Sequence, residues 1–364
     1  MNTPKPAVSV IMSVYNTEEA WLRESIQSIL DQSFRNFEFI IVLDSPTDGS
    51  EGIVREYAET DERIVVLKNQ ENIGLTKSLN KAIQAAAGRY IARMDADDIS
   101  VSTRFEKQVA YLDSHENVAV VGSRCFLSVT RRPILNNWTE DQQALAVRMM
   151  FANAGLPHPT AMIRRSTLDQ HSIRYTESIR KSQDYKLWVD LLPYGDIMVL
   201  PDVLLVYREH EGQITADTGA LNEYAHQIAL MQAERLLGEL SETEKQLHVT
   251  VMKTELPASA EALDRYFRRI AAANREKGIY RQDTLLRELD FLWCRKAVRR
   301  MKVEHKADML LRARMLKMFE PALMRYIRKN KESTKAYVSA VREFEAAQKN
   351  STLASLHSAA GADT

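Results

Sequence analysis

Between Asp95 and Asp98 the chain places three carboxylates in four residues, with only Ala96 interposed. Like charges this close repel one another and resist desolvation unless a cation sits among them. A divalent ion with oxygen ligands answers that need, and Mg²⁺ or Mn²⁺ commonly shares such a site with substrate phosphates. The plainer alternative is a solvated acidic loop in which Asp98 caps a following helix. Lys77, Arg93 and Arg104 lie close by in sequence. Each could face a phosphate, but solvated or salt-bridging faces are expected for them.

Elements must position these groups, and the first half of the chain alternates strand and helix signals. Val8–Val14 is a strand of β-branched and apolar residues. Tyr15-Asn16-Thr17 follows, with Asn16 or Thr17 as the expected cap of a helix from about Glu18. Along that helix Leu22, Ile26, Ile29 and Leu30 share one face. Phe37–Leu43 is nearly all apolar, as in a parallel-sheet strand covered on both faces. A turn cluster, Asp44-Ser45-Pro46-Thr47-Asp48-Gly49-Ser50, leads to a helix carrying Ile53, Tyr57 and Ala58. Ile64–Leu67 is a short strand, and Leu75, Leu79, Ala82, Ile83 and Ala86 form a helix face that stops at Gly88. Tyr90–Met94 is one more strand, running straight into Asp95. A βαβαβ order implies an open, mostly parallel sheet with ligand bound at the carboxyl ends of its strands. Two of those ends, at Asp44 and Asp95, are acidic.

Composition narrows the function classes. The 364 residues are 45% hydrophobic and 27% charged, enough for a full core and too apolar for disorder. Forty-nine basic residues balance forty-nine acidic ones, so no overall field draws the protein to nucleic acid, and no nucleic-acid partner is expected. Cys125 and Cys294 alone make neither a disulfide framework nor a zinc site. No apolar run approaches the ~18 residues of a membrane span. The few residues before Val8 leave no room for a signal peptide, so a cytoplasmic location is expected.

Taken in order, VSVIMSVYN, SIQSILDQSF, FEFIIVLDSPTDGS, NQENIGLTKSLNKAI and GRYIARMDADD resemble the nucleotide-sugar-binding half of the inverting glycosyltransferases of family 2. A fainter likeness continues through HPTAMIRRSTL (His158–Leu168), SQDYKLWVDL (Ser182–Leu191) and YREHEGQIT (Tyr207–Thr215). The resemblance implies a GT-A-type α/β domain over residues 1–215. It matches Asp95, Asp97 and Asp98 to the family's metal- and diphosphate-holding motif, and Val14, Tyr15 and Asn16 to the nucleotide pocket. Asp44 matches an acid that reads the base edge, a fitting acceptor for a ring N–H of uracil, thymine or guanine; Leu43 and Ser45-Pro46 depart from the family pattern there. Asp184 matches the general base, although the acid that usually precedes it is Gln183 here; as a plain structural feature it is a first-turn acid favoured by the helix dipole. Arg208 and His210 match a basic element that meets the diphosphate and completes the metal site. His158-Pro159 resembles a loop near the acceptor, with no chemistry assigned.

The activity so implied is metal-dependent inverting transfer from a nucleoside-diphosphate sugar to a hydroxyl of a glycan or lipid-linked acceptor, in bacterial surface polysaccharide biosynthesis. Two rivals are transfer to a polyprenyl phosphate, which needs no base, and a non-catalytic sugar-nucleotide-binding or scaffolding protein. Residues 216–349 read as a mainly α-helical region, and residues 350–364, small and polar, as a disordered tail. Within 287–329 thirteen bases face five acids among interleaved apolar residues, a pattern that suits either an anionic membrane surface at the inner face or packing on the catalytic domain.

Overall fold

The computed structural model describes residues 5–129, 139–210, 218–253 and 259–304. The expected tail at 350–364, and the basic segment beyond residue 304, lie outside the described residues.

One eight-stranded sheet organises the first half, in the order β3-β2-β1-β4-β7-β6-β8-β5. Its parallel block is β3 (Ile64–Lys68), β2 (Phe37–Leu43), β1 (Val8–Val14) and β4 (Tyr90–Arg93). Alternation in these strands sends Val10, Met12 and Val14 to one face and Ile11 to the other, and likewise Phe39 and Ile41 against Ile40 and Val42. On the first face lie α1 (Glu19–Leu30), α2 (Ser50–Thr60) and α4 (Arg104–Ser114), through residues such as Leu22, Ile53 and Phe105. On the second lie α3 (Leu75–Ala85), α5 (Gln142–Met149), α6 (Arg165–Gln170) and α7 (Gln183–Leu191). Burial of both faces explains the near-continuous apolar runs.

Beyond β4 the sheet becomes mixed. β7 (Met162–Arg164) runs antiparallel to both β4 and β6 (Val118–Leu127), β6 pairs in parallel with β8 (Asp196–Tyr207), and the two-residue β5 (Ile99–Ser100) runs antiparallel to β8. This half returns the end of β8 to the acidic loop after β4.

The C-terminal part is helical: α8 (Thr218–Leu237), α9 (Glu242–Met252), α10 (Ala260–Lys277) and α11 (Gln282–Glu304). Local chemistry sets several of the ends. Ser241 and Glu244 cap α9 reciprocally, and Gly278, at φ 64°, closes α10 in the left-handed conformation a side chain resists. These helices share a third core, in which Leu236, Val251, Phe267 and Leu289 enclose Val147, Met150 and Phe151 at the end of α5. None of the described helices is long and apolar enough to cross a membrane.

Candidate active site

The acidic loop leaves β4 at the carboxyl edge of the sheet. One carboxylate oxygen from each of Asp95, Asp97 and Asp98 lies within 4.8 Å of the others. Asp95 is ion-paired with Arg93, and Asp97 lies 2.9 Å from His210 Nε2. Asp98 is fully buried. Its Oδ1 accepts the Arg208 backbone N–H at 2.9 Å, while Oδ2 has no hydrogen-bond partner. Asp98 therefore does not cap the following helix, contrary to the plainer sequence reading; it ties the loop to the end of β8. Burial pushes its carboxyl well above the usual range, and Asp95 and Asp97 add to the shift. Asp95 is raised too, by burial first, with Arg93 opposing and Asp97 adding. Such a cluster favours either a bound proton or a bound cation. An orphaned buried oxygen beside two further carboxylates and an imidazole is a donor set that suits Mg²⁺ or, with the nitrogen, Mn²⁺.

Helix α1 supports this corner. Its Trp21 ring lies 4.6 Å from the His210 ring, centroid to centroid, and 5.5 Å below the Arg208 guanidinium carbon. Glu24 accepts from Arg208 Nη2 at 2.6 Å, and Ser25 donates to the Asp95 carbonyl at 2.7 Å. The cap of α1 differs from expectation. Glu18, rather than Asn16 or Thr17, accepts the Ala20 and Trp21 N–H groups, while the Asn16 side chain is engaged with Thr47 and the Thr17 backbone with the Ser50 hydroxyl.

The ends of β1 and β2 form the other side. Val14 is buried, Tyr15 half exposed, and Asn16 left-handed at φ 47° with its side chain clasping Thr47. Ser45 is left-handed as well. Asp44 is buried: Oδ1 accepts from Asn69 Nδ2 at 2.8 Å and Ile73 N at 2.9 Å, and Oδ2 from Gly74 N at 2.9 Å. The Asp44 carboxylate thus holds the 69–74 loop.

Asp184 occupies the first turn of α7, entered through left-handed Ser182. Asn153 Nδ2 donates to its Oδ2 at 3.1 Å. Burial raises its carboxyl, opposed by the Tyr185 backbone N–H, Asn153 and Arg93. The preceding Gln183 is buried with Oε1 unpartnered. Arg93 links the two halves. It is buried at 2% exposure, and its charge acts on Asp95 and Asp98 on one side and on Asp184 and Tyr175 on the other. Arg104 is also fully buried, donating to the carbonyls of Arg93 at 2.8 Å and Ala161 at 3.2 Å; burial and Arg93 lower its pKa to about 9. Neither arginine is solvated: Arg93 is salt-bridged to Asp95, with Nε and Nη1 otherwise unpartnered, and Arg104 is held by carbonyls from separate segments. Lys77 does lie at the surface. His158 is a core residue: its Nε2 lies 2.6 Å from the Tyr175 hydroxyl, and burial together with Arg93 holds it neutral.

Sequence reasoning missed Arg93, Trp21, Tyr175 and Asn153 as parts of this site. Arg93 had one available signal, its place two residues before Asp95 on a strand otherwise apolar.

The chain is similar to known proteins in sequence and fold. Residues 9–172 match the family model for glycosyl transferase family 2. The chain is 32% identical over 195 residues to the protein of Bacillus subtilis named "Putative teichuronic acid biosynthesis glycosyltransferase TuaG", a match covering 54% of this chain and 75% of TuaG. Among solved structures, S. aureus TarS 1–349 in complex with UDP-GlcNAc aligns at TM-score 0.56 and 20% identity, over 83% of this chain and 94% of that one. The mannosyltransferase PcManGT from Pyrobaculum calidifontis, in complex with GDP-Man and Mn²⁺, aligns at TM-score 0.51 and 17% identity, over 93% and 88%. Both structures share the fold. With the sheet order, the acidic loop and TuaG's similarity over three quarters of its length, the chain belongs to glycosyl transferase family 2 and is a glycosyltransferase.

Proposed function

We propose that the enzyme transfers a sugar, with inversion and with a divalent metal, from a nucleoside-diphosphate donor to a hydroxyl of a glycan or lipid-linked acceptor in surface polysaccharide biosynthesis. The observation that carries this reading is the convergence of two acidic groups on one buried cation: the Asp95–Asp98 cluster and Asp184, both within the field of Arg93. Asp97, Asp98 and His210 would hold Mn²⁺ or Mg²⁺, which supplies charge neutralisation for the departing diphosphate. Val14, Tyr15 and Asn16 line the nucleotide side with Asp44 beneath them. Asp95 and Arg208 face the diphosphate. The TarS and PcManGT complexes, in which the same fold is found with UDP-GlcNAc and with GDP-Man and Mn²⁺, support a nucleotide-sugar donor. TuaG's name supports the setting.

In the reaction the acceptor oxygen attacks the anomeric carbon opposite the phosphate, the bond to the diphosphate oxygen breaks with its electron pair, and the hydroxyl proton passes to Asp184. Burial suits Asp184 to this work, since a raised pKa makes the carboxylate a better base near neutral pH. Residues 1–215 would form the catalytic domain and 216–349 a helical region, whose basic segment 287–329 would make any peripheral contact with a membrane. A thermal-shift screen of UDP-, dTDP- and GDP-sugars with and without Mn²⁺ tests the donor reading, because a ligand that binds only the folded chain raises its stability. One nucleotide class should raise Tm, and only with metal present. No shift with any of them would count against the donor assignment.

A further inference from the structure

The four C-terminal helices converge on a stretch that the chemistry above leaves unused, the end of α5 and the loop after it. Arg148 pairs with Glu288 of α11 at 2.9 Å, with side chains 13% and 5% exposed. The Met149 carbonyl accepts from Gln232 Nε2 of α8 at 2.7 Å and also from the Tyr185 hydroxyl of α7. The Met150 carbonyl lies 2.8 Å from His248 Nε2 of α9, whose Nδ1 lies 2.8 Å from the Tyr266 hydroxyl of α10. Phe151 stacks on His248 at 4.8 Å and meets Phe267 edge-on. Four successive residues are thus held by four helices.

The same stretch then touches the first turns of α7. Asn153 donates to Asp184, and Gly155 lies so close to Trp188 that a Cβ there would fall 2.2 Å from its Cδ1. With the Tyr185 bond, residues 148–155 meet α7 at Asp184, Tyr185 and Trp188.

We infer that residues 148–155 are a brace through which the C-terminal helices set the position of Asp184, and that Asn153 is the positioning residue that orients its carboxylate. The inference rests on Asp184 being the base. An amide donor on Oδ2 fixes the plane of the carboxylate relative to the acceptor, and a misplacement of about 1 Å at such a group costs large factors in rate. The helical region acts through this route on the rate of transfer and leaves donor binding alone, because no brace residue belongs to the nucleotide or metal groups.

The test uses the full chain with Asn153→Ala, at an exposed position where folding is not at risk, and Gln232→Ala. Hydrogen exchange in the peptide spanning Ser182–Leu191 reads the brace without any substrate; both variants should speed it, Asn153→Ala at unchanged Tm. Nucleoside diphosphate release from UDP-GlcNAc or GDP-mannose with Mn²⁺ reads the chemistry. Asn153→Ala should lower kcat about tenfold with donor KM unchanged, and should have no further effect in an Asp184→Asn background. Asn153→Gln should recover part of the loss. Unchanged exchange and unchanged kcat in both variants, with Asp184→Asn still inactive, would overturn the brace and leave the base intact. An active Asp184→Asn enzyme would instead remove the base while faster exchange still supported the brace.

Discussion

At the scale of single residues, the acidic cluster is held together by specific compensation. Arg93 answers Asp95, His210 answers Asp97, and the Arg208 N–H answers one oxygen of Asp98, leaving the other bare. Because burial raises Asp95 and Asp98 above ordinary carboxylates, a metal must displace protons at low pH; Mn²⁺ affinity is expected to rise with pH until those groups are ionised. Asp97→Ala should abolish metal-dependent donor binding while the fold persists, since Asp97 is partly exposed and no core contact depends on it. Calorimetry with Mn²⁺ present checks this; wild-type nucleotide affinity in the variant would overturn the metal assignment. Asp44 illustrates a different case. Its carboxylate is largely spent on Asn69, Ile73 and Gly74, so its substitution should loosen the 69–74 loop as well as any base contact.

Elements differ in how far sequence exposes them. β1 and β2 were legible to the residue because their apolar runs are local and unbroken, and Gly88 marked the end of α3 nearby. The three-residue β7 and the two-residue β5 were not, since strands that short carry no pattern and exist only through pairing with β4, β6 and β8. The burial of Arg93 and Arg104 has no local signal for the same reason. The acceptors of Arg104 include the Ala161 carbonyl, 57 residues away, which no local window contains. Asp95, Asp97, Asp98 and Asp184 could be singled out by motif, whereas Asn153 has no local signature and enters only through the packing of the loop after α5 on α7. That packing makes Gly155→Ala a sharp test at this scale. The added methyl collides with Trp188, and the variant should lose about 1–3 kcal/mol in denaturant unfolding, as overpacked cores do. Full stability would mean that α7 has room to move.

Across the whole molecule, the sheet and the helical region meet through a shared core and a buried imidazole. His248 is held neutral, its pKa lowered by burial to about 4. An unfolded histidine titrates near 6.5, so between about pH 6.5 and 4 the unfolded chain binds a proton that the folded one refuses. Stability should therefore fall as pH drops through that window, by on the order of 3 kcal/mol at its lower end, and show no such loss above pH 7. The raised carboxylates work in the opposite direction, so the difference between wild type and His248→Gln isolates the imidazole. Tm measured from pH 7 to 5 should drop less steeply in the variant; parallel curves would show that His248 charges without cost.

The central claim is that Asp184 takes the acceptor's proton and the acidic loop holds the donor, and one variant separates the two. Asp184→Asn keeps size and hydrogen bonding but removes proton-accepting power. Donor affinity with Mn²⁺ should stay near wild type while transfer to a hydroxyl acceptor falls by ~10²-fold or more, the usual scale for lost general-base assistance. Transfer at the wild-type rate by Asp184→Asn would contradict the claim and point to an acceptor that is already an anion, such as a phosphate.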